Sequence, residues 1–282
     1  MGGIGAHRGS SGGISGSTVQ AAPQQPLQPQ QPQNNNIQQQ TPTAQNTPVT
    51  PQALNNISKM DDATLASLIN SARGIQMPNM LADSKDATQE FVFAAGLNER
   101  PTVLDQKEFD QFMKDNNISK NEILSRSTNN VSYRNQDGTT INLTGDQVND
   151  LIKYSRLTYI GGKRGGQAYG AGTYFDMNGG KNTGYGGTTM NAVLNPKTAK
   201  PISLSNLNNK IASYAQAHPQ VAQAIQNLTG VSSSQAARSW GSTKATSIYA
   251  LCMGYNVITE YNTSTKSGYH NVIDRSALVI RK

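Results

Sequence analysis

Beyond Ser119 the chain is built from short pieces, and this limits its possible folds more than any other feature. Strand-like runs at 122–125, 139–143, 157–160, 172–175, 190–194, 257–261, 269–273 and 277–280 are separated by Gly and Asn turns. Helical patterns intervene at 145–155, 204–218, 220–228 and 234–253. The elements follow one another without the regular βαβ alternation of a parallel sheet, so 119–282 is predicted to be an α+β domain. No internal repeat is visible, and no apolar run approaches the roughly 18 residues needed to cross a bilayer.

Residues 53–118 read as a small helical cap docked on that domain. Asp61-Asp62 can start a helix whose apolar positions Leu65, Leu68 and Ile69 recur at helical spacing. A second pattern covers 83–95 with Phe91, Val92 and Ala95, and a third covers 105–115 with Phe109, Phe112 and Met113. Residues 1–52 are of another kind, first rich in Gly and Ser, then in Gln, Pro, Asn and Thr. Too few apolar side chains are present to offset the entropy of ordering, so this tail is predicted to be disordered. As a flexible coil it would span about 40 Å. It is either a tether or packaging arm, or an inert extension.

Charge is unevenly placed. Residues 1–118 carry 7 Lys/Arg against 10 Asp/Glu, whereas 119–282 carry 17 against 7. The basic domain therefore favours anionic ligands. No Lys/Arg block is dense enough to make nucleic acid the first choice, and no nucleic-acid-binding signature follows. The single cysteine, Cys252, rules out a disulfide framework and a Cys-rich zinc site. It sits in an apolar stretch and reads as a small core residue. His7, His218 and His270 are too scattered for a metal site, and His270 reads as a strand-surface residue within reach of a pocket. The first residues lack the charged-then-apolar order of a secretory signal, so the expectation is a soluble protein in a reducing compartment, without a membrane partner.

The most informative stretch is Tyr169-Gly170-Ala171-Gly172-Thr173-Tyr174-Phe175-Asp176-Met177-Asn178-Gly179-Gly180-Lys181-Asn182-Thr183-Gly184-Tyr185. Small residues lead into a short strand bearing Tyr174 and Phe175, and a turn or short helix then ends in Tyr185. Glycines let backbone approach a ligand, and Tyr faces offer flat surfaces to an aromatic ring. A Gly-lined slot between Tyr174 and Tyr185 would suit a planar heterocycle such as nicotinamide. The same residues also suit a Gly-rich hairpin with core aromatics.

This stretch resembles the segment of poly(ADP-ribose) polymerases and related transferases in which Gly-x-Gly-x-Tyr-Phe precedes a short helix and a second tyrosine, and the interval between the tyrosines matches. The resemblance implies that Tyr174 anchors NAD, that Tyr185 stacks on nicotinamide, and that Asn182 hydrogen-bonds the nicotinamide amide in place of the family's serine. Gly172 would line the slot. Ile123-Leu124-Ser125-Arg126-Ser127-Thr128 is similar to the family's first motif in its arginine-bearing form. Arg126 would then pair with an NAD phosphate or ribose, and the Ser127 backbone would face the carboxamide. The runs 250–258 and 269–278, with Asp274-Arg275-Ser276-Ala277-Leu278, resemble the ending of phage-encoded transferase domains.

One departure stands out. The family's catalytic glutamate falls near Tyr269 to Asn271, where this chain has no carboxylate; Glu260 is the nearest acidic candidate before Asp274. Breaking the glycosidic bond of NAD needs electrostatic help for a cationic ribose, so polymer synthesis is not expected. Gly161-Gly162-Lys163-Arg164-Gly165-Gly166 is a basic loop suited to contact with the pyrophosphate or with an acidic target. Together these readings predict a split-sheet ADP-ribosyltransferase-like α+β domain at 119–282. Its predicted function is transfer of one ADP-ribose from NAD to a protein. The phage-like ending adds phage head or portal proteins as partners, with the virion or the host cytoplasm as location. The alternative is a virion component carrying an inactive or accessory transferase fold.

Overall fold

The computed structural model describes residues 52–75, 87–97, 100–134, 139–155, 172–177, 179–181, 186–238, 243–262 and 267–282. The tail up to 51, the start of the helix expected from 83, the strand expected at 157–160 and the basic loop Gly161–Gly166 lie outside the described residues, as do Asn182 and Tyr185.

In chain order, α1 (Gln52–Ile57), α2 (Asp62–Ser71) and α3 (Ala87–Ala94) come first, followed by β1 (Thr102–Leu104) and α4 (Gln106–Asp115). Then come β2 (Leu124–Thr128), the hairpin of β3 (Val131–Arg134) and β4 (Thr140–Leu143), α5 (Gly145–Tyr154), β5 (Thr173–Met177) and β6 (Thr188–Leu194). The chain closes with β7 (Pro201–Ser203), α6 (Leu204–Ala217), α7 (Pro219–Thr229), α8 (Ser233–Ala236), α9 (Thr243–Cys252), β8 (Val257–Asn262), β9 (Ser267–Val272) and β10 (Leu278–Arg281). Eight strands form one mixed sheet in the order β1-β10-β6-β2-β5-β9-β8-β7. Its inner pairs are antiparallel, and its two outer pairs, β1 with β10 and β7 with β8, are parallel.

Local chemistry accounts for the helices. In α4, Asp105 and Glu108 form a reciprocal capping box, and Phe109 and Met113, four apart, share the buried side. In α5, Thr144 and Gln147 do the same, with Val148 and Ile152 buried. α7 starts on Pro219 and stops at Gly230, whose φ of 73° is left-handed, where glycine carries no Cβ penalty. The helix expected at 234–253 is divided: α8 ends at Ala236, and Thr246 of α9 donates its hydroxyl to the Ala236 carbonyl, turning the second piece back on the first.

The sheet register sorts the side chains onto two faces, because residues paired across strands point the same way. One face carries Leu124, Phe175, Met190, Ala192, Val272, Leu278 and Ile280, and Val148 and Ile152 of α5 pack on it. Among the described residues, helices pack on the opposite face at its two ends. Near β10 and β6, Phe109 and Met113 of α4 bury Val193 and Val279. Near β8 and β7, Ile258 and Ile202 join a larger core with Leu207, Ile211, Ile225, Ile248 and Leu251 of α6, α7 and α9. Helices α1 to α3 close that core with Ile57, Ile69 and Phe91, while β1 from the same region of the chain forms a sheet edge. Cys252 is buried in this core, and burial pushes its thiol pKa up, as suits an inert packing residue.

Candidate functional site

The centre of the less covered face, on β2, β5 and β9, is polar. β2 and β5 are neighbours, yet they pair only at Leu124 with Met177 and Ser125 with Asp176. Beyond that point β2 continues against β6 through Arg126, Ser127 and Thr128, while β5 continues against β9 back to Thr173. The sheet therefore opens between its two central strands from Arg126 onward. At the opening, Arg126 Nη1 donates to the Tyr174 carbonyl at 3.1 Å, taking an acceptor that a closed ladder would satisfy with a backbone N–H.

The chain on either side of the 182–185 stretch is pinned to β2. The Gly180 N–H donates to the Ile123 carbonyl at 3.2 Å, and the Ser125 hydroxyl donates to the Lys181 carbonyl at 2.7 Å. Gly186 lies flat on Thr128, where a Cβ would come 2.6 Å from its N and O atoms. Asn182 and Tyr185 fall in sequence between these anchors. Gly172, immediately before β5, is a second close approach: a Cβ there would overlap Asn271 Oδ1 and lie 2.8 Å from the Val272 carbonyl oxygen.

Of the residues named from sequence, Arg126 and Tyr174 meet across the opening, and Gly172, two residues before Tyr174, packs against Asn271 and Val272. Tyr174 is partly buried and, among the described residues, belongs to none of the three apolar clusters. Ser127 is on β2, where its Oγ lies 3.4 Å from Thr189 Oγ1 of β6. Glu260 is elsewhere. It pairs with Tyr269 on β9, which puts it two strands, roughly 10 Å, from β5. His270, expected at the strand surface, is half-buried: it sits opposite Phe175 on the α5 side of the sheet, and desolvation lowers its pKa to about 4.

Sequence reasoning missed Asp176. Cross-strand pairing puts Asn191, Ser125, Asp176, Tyr269 and Glu260 in one row on the face that also carries Tyr174. Desolvation raises the Asp176 pKa above the usual carboxylate range, and the nearby Arg126 charge lowers it in part. Tyr169 to Tyr185 draws the eye to glycines and tyrosines. Only the strand register reveals that the aspartate two residues after Tyr174 adjoins Tyr269.

The Arg126 guanidinium thus reaches across the opening to the Tyr174 carbonyl, and its charge is felt by the partly buried Asp176 carboxylate of the last β2–β5 pair. Such a set can hold a dianionic pyrophosphate and oppose positive charge developing on a sugar. No family model matches the chain, and comparison with curated proteins and with solved structures returns no match.

Proposed function

We propose that this chain is an NAD-dependent mono-ADP-ribosyltransferase acting on a protein, built on an ADP-ribosyltransferase-like split sheet. The observation that carries the reading is the parting of β2 from β5 after two residue pairs, with Arg126 and Tyr174 joined across the opening. A sheet that separates at its middle exposes strand backbone to a ligand. Arg126 and Tyr174, to which the resemblance gives NAD contacts, are the two residues joined there.

In this reading Arg126 holds the pyrophosphate or the adjoining ribose as a permanently charged fork. Tyr174 and Gly172 line one side of the nicotinamide slot and the Ser127 backbone faces the carboxamide; the roles the resemblance gives Asn182 and Tyr185, on the amide and the ring, belong to residues outside the described ones. The bond between the nicotinamide nitrogen and ribose C1′ breaks with its electron pair leaving on nicotinamide. A lone pair of the acceptor side chain forms the new bond at C1′, and the acceptor proton passes to water. One ADP-ribose is transferred, because nothing in the motif provides the glutamate used for chain elongation. Phage head or portal proteins are the proposed partners, and the virion or the host cytoplasm the proposed location.

A second reading is favoured by one observation. Tyr269, His270 and Asn271, where the resemblance calls for a glutamate, carry no carboxylate, as suits a packaged virion component with an inactive or accessory transferase fold. The two readings separate on incubation with NAD labelled in its adenylate half and a bacterial lysate. Label on protein, lost in Arg126→Ala, is expected for the enzyme. No labelled protein and no released nicotinamide would favour the virion component.

A further inference from the structure

The geometry points to Asp176 as the carboxylate that faces the reacting ribose, standing one strand away from the position where the resemblance calls for a glutamate. This rests on the transferase reading and names the group in that site which opposes the developing positive charge.

The argument starts from Tyr269. That residue opens the run at which the expected glutamate would fall, and it is flanked on both sides by acids: Asp176 on β5 and Glu260 on β8. Directly paired positions on antiparallel strands bring Cβ atoms within about 4.5–5.5 Å. A carboxylate on either neighbour can therefore serve much of the space that a residue at 269 would serve. The choice between them follows from what else is nearby. Asp176 shares β5 with Tyr174, two residues away and on the same face, and its partner Ser125 lies beside Arg126 at the end of the β2–β5 ladder. Glu260 is two strands farther from the opening, against Tyr269 and the loop end of β8.

The condition of the side chain agrees. Asp176 is partly buried, and among the described residues no hydrogen bond engages its carboxylate. Burial raises its pKa while Arg126 opposes the rise, so the carboxylate and the guanidinium sense each other at the opening. A desolvated anion without a structural partner is costly unless its charge is used. During transfer, positive charge spreads over ribose C1′ and the ring oxygen as the bond to nicotinamide breaks. Asp176 stabilises that charge and takes up no covalent bond, and the acceptor lone pair then completes C1′.

The test compares Asp176→Asn, Asp176→Glu and Glu260→Gln in the full chain, reading release of nicotinamide from labelled NAD, NAD affinity by calorimetry and folding by circular dichroism. Asp176→Asn is expected to lower the turnover rate at least about 100-fold with NAD affinity within a few-fold of the parent. Asp176→Glu is expected to recover part of that loss, and Glu260→Gln to remain near the parental rate. A parental rate in folded Asp176→Asn, or the large loss in Glu260→Gln instead, overturns the assignment while leaving the transferase reading intact. If Asp176→Asn does not fold, Asp176→Ala is read in its place: the same loss of turnover is expected, and a parental rate in the folded protein overturns the assignment. If the parent neither binds nor cleaves NAD, both readings fall together.

Discussion

Replacing Arg275 by alanine is expected to destabilise the fold by about 4 kcal/mol, a large part of the roughly 5–15 kcal/mol that holds a domain together. Arg275 is 2% exposed. Nη1 donates to the Ile152 carbonyl at 2.6 Å and the Leu151 carbonyl at 3.3 Å, and Nη2 donates to the Ser155 carbonyl at 2.8 Å. Ile152 is in the last turn of α5 and Ser155 is its C-cap, where carbonyls run out of intrahelical donors and the helix dipole is negative; the Leu151 carbonyl also accepts from the Ser155 N–H and hydroxyl. Burial lowers the Arg275 pKa to about 10, which leaves it charged at neutral pH. The adjacent Asp274 is buried too, and its oxygens accept from the Ser276 N–H and hydroxyl. Alanine at 275 removes the donor of the buried Ile152 bond and the cation beside a buried carboxylate. Arg275→Lys keeps the charge but cannot fork between Ile152 and Ser155, so about half of the loss is expected. Urea unfolding reads both: the midpoints should fall in that order with an unchanged slope. A midpoint for Arg275→Ala within error of the parent would contradict this role.

Gly172→Ala is expected to cost about 1–3 kcal/mol in stability and to weaken NAD binding at least tenfold. The new Cβ would overlap Asn271 Oδ1 and come 2.8 Å from the Val272 carbonyl oxygen. The Val272 carbonyl is backbone of a residue that pairs with Thr173 in the β5–β9 ladder, so it cannot move aside without breaking that pairing, and Asn271 is buried, which leaves its side chain little room to turn away. The strain is relieved by lifting the start of β5, which displaces Tyr174 at the opening. Gly187→Ala is the matched control, because nothing lies within 4 Å of the added carbon. Paired urea midpoints and calorimetric titrations check the expectation, and equal NAD affinity in the Gly172→Ala and Gly187→Ala proteins would contradict it.

Both sites show what the sequence could and could not disclose. α4 and α5 were legible because capping residues and i, i+4 apolar pairs are local signals: Asp105 with Glu108, Thr144 with Gln147, Phe109 with Met113. β2 was seen but misplaced toward its start. Glu122 belongs to a 3₁₀ turn, and pairing with β6 carries the strand on to Thr128. β1 and β7 were missed because a three-residue strand exists only through its partner, here β10 and β8. For the site, Arg126, Gly172 and Tyr174 were visible as motif residues. Asp176 was not, since its importance depends on lying opposite Tyr269, and register between strands some ninety residues apart leaves no local trace. The same blindness favoured Glu260, the acid nearest to Tyr269 in sequence on the preceding strand but farther from the opening in the sheet.

The claim beneath all of this is that the parting of β2 from β5 accepts NAD. Calorimetric titration of NAD into the full chain and into its Arg126→Ala variant tests it most directly. Saturable binding at one site, weakened at least tenfold (about 1.4 kcal/mol) by the substitution, is the expected result. An absence of binding to the parent chain, or equal affinity in the folded variant, would contradict the claim.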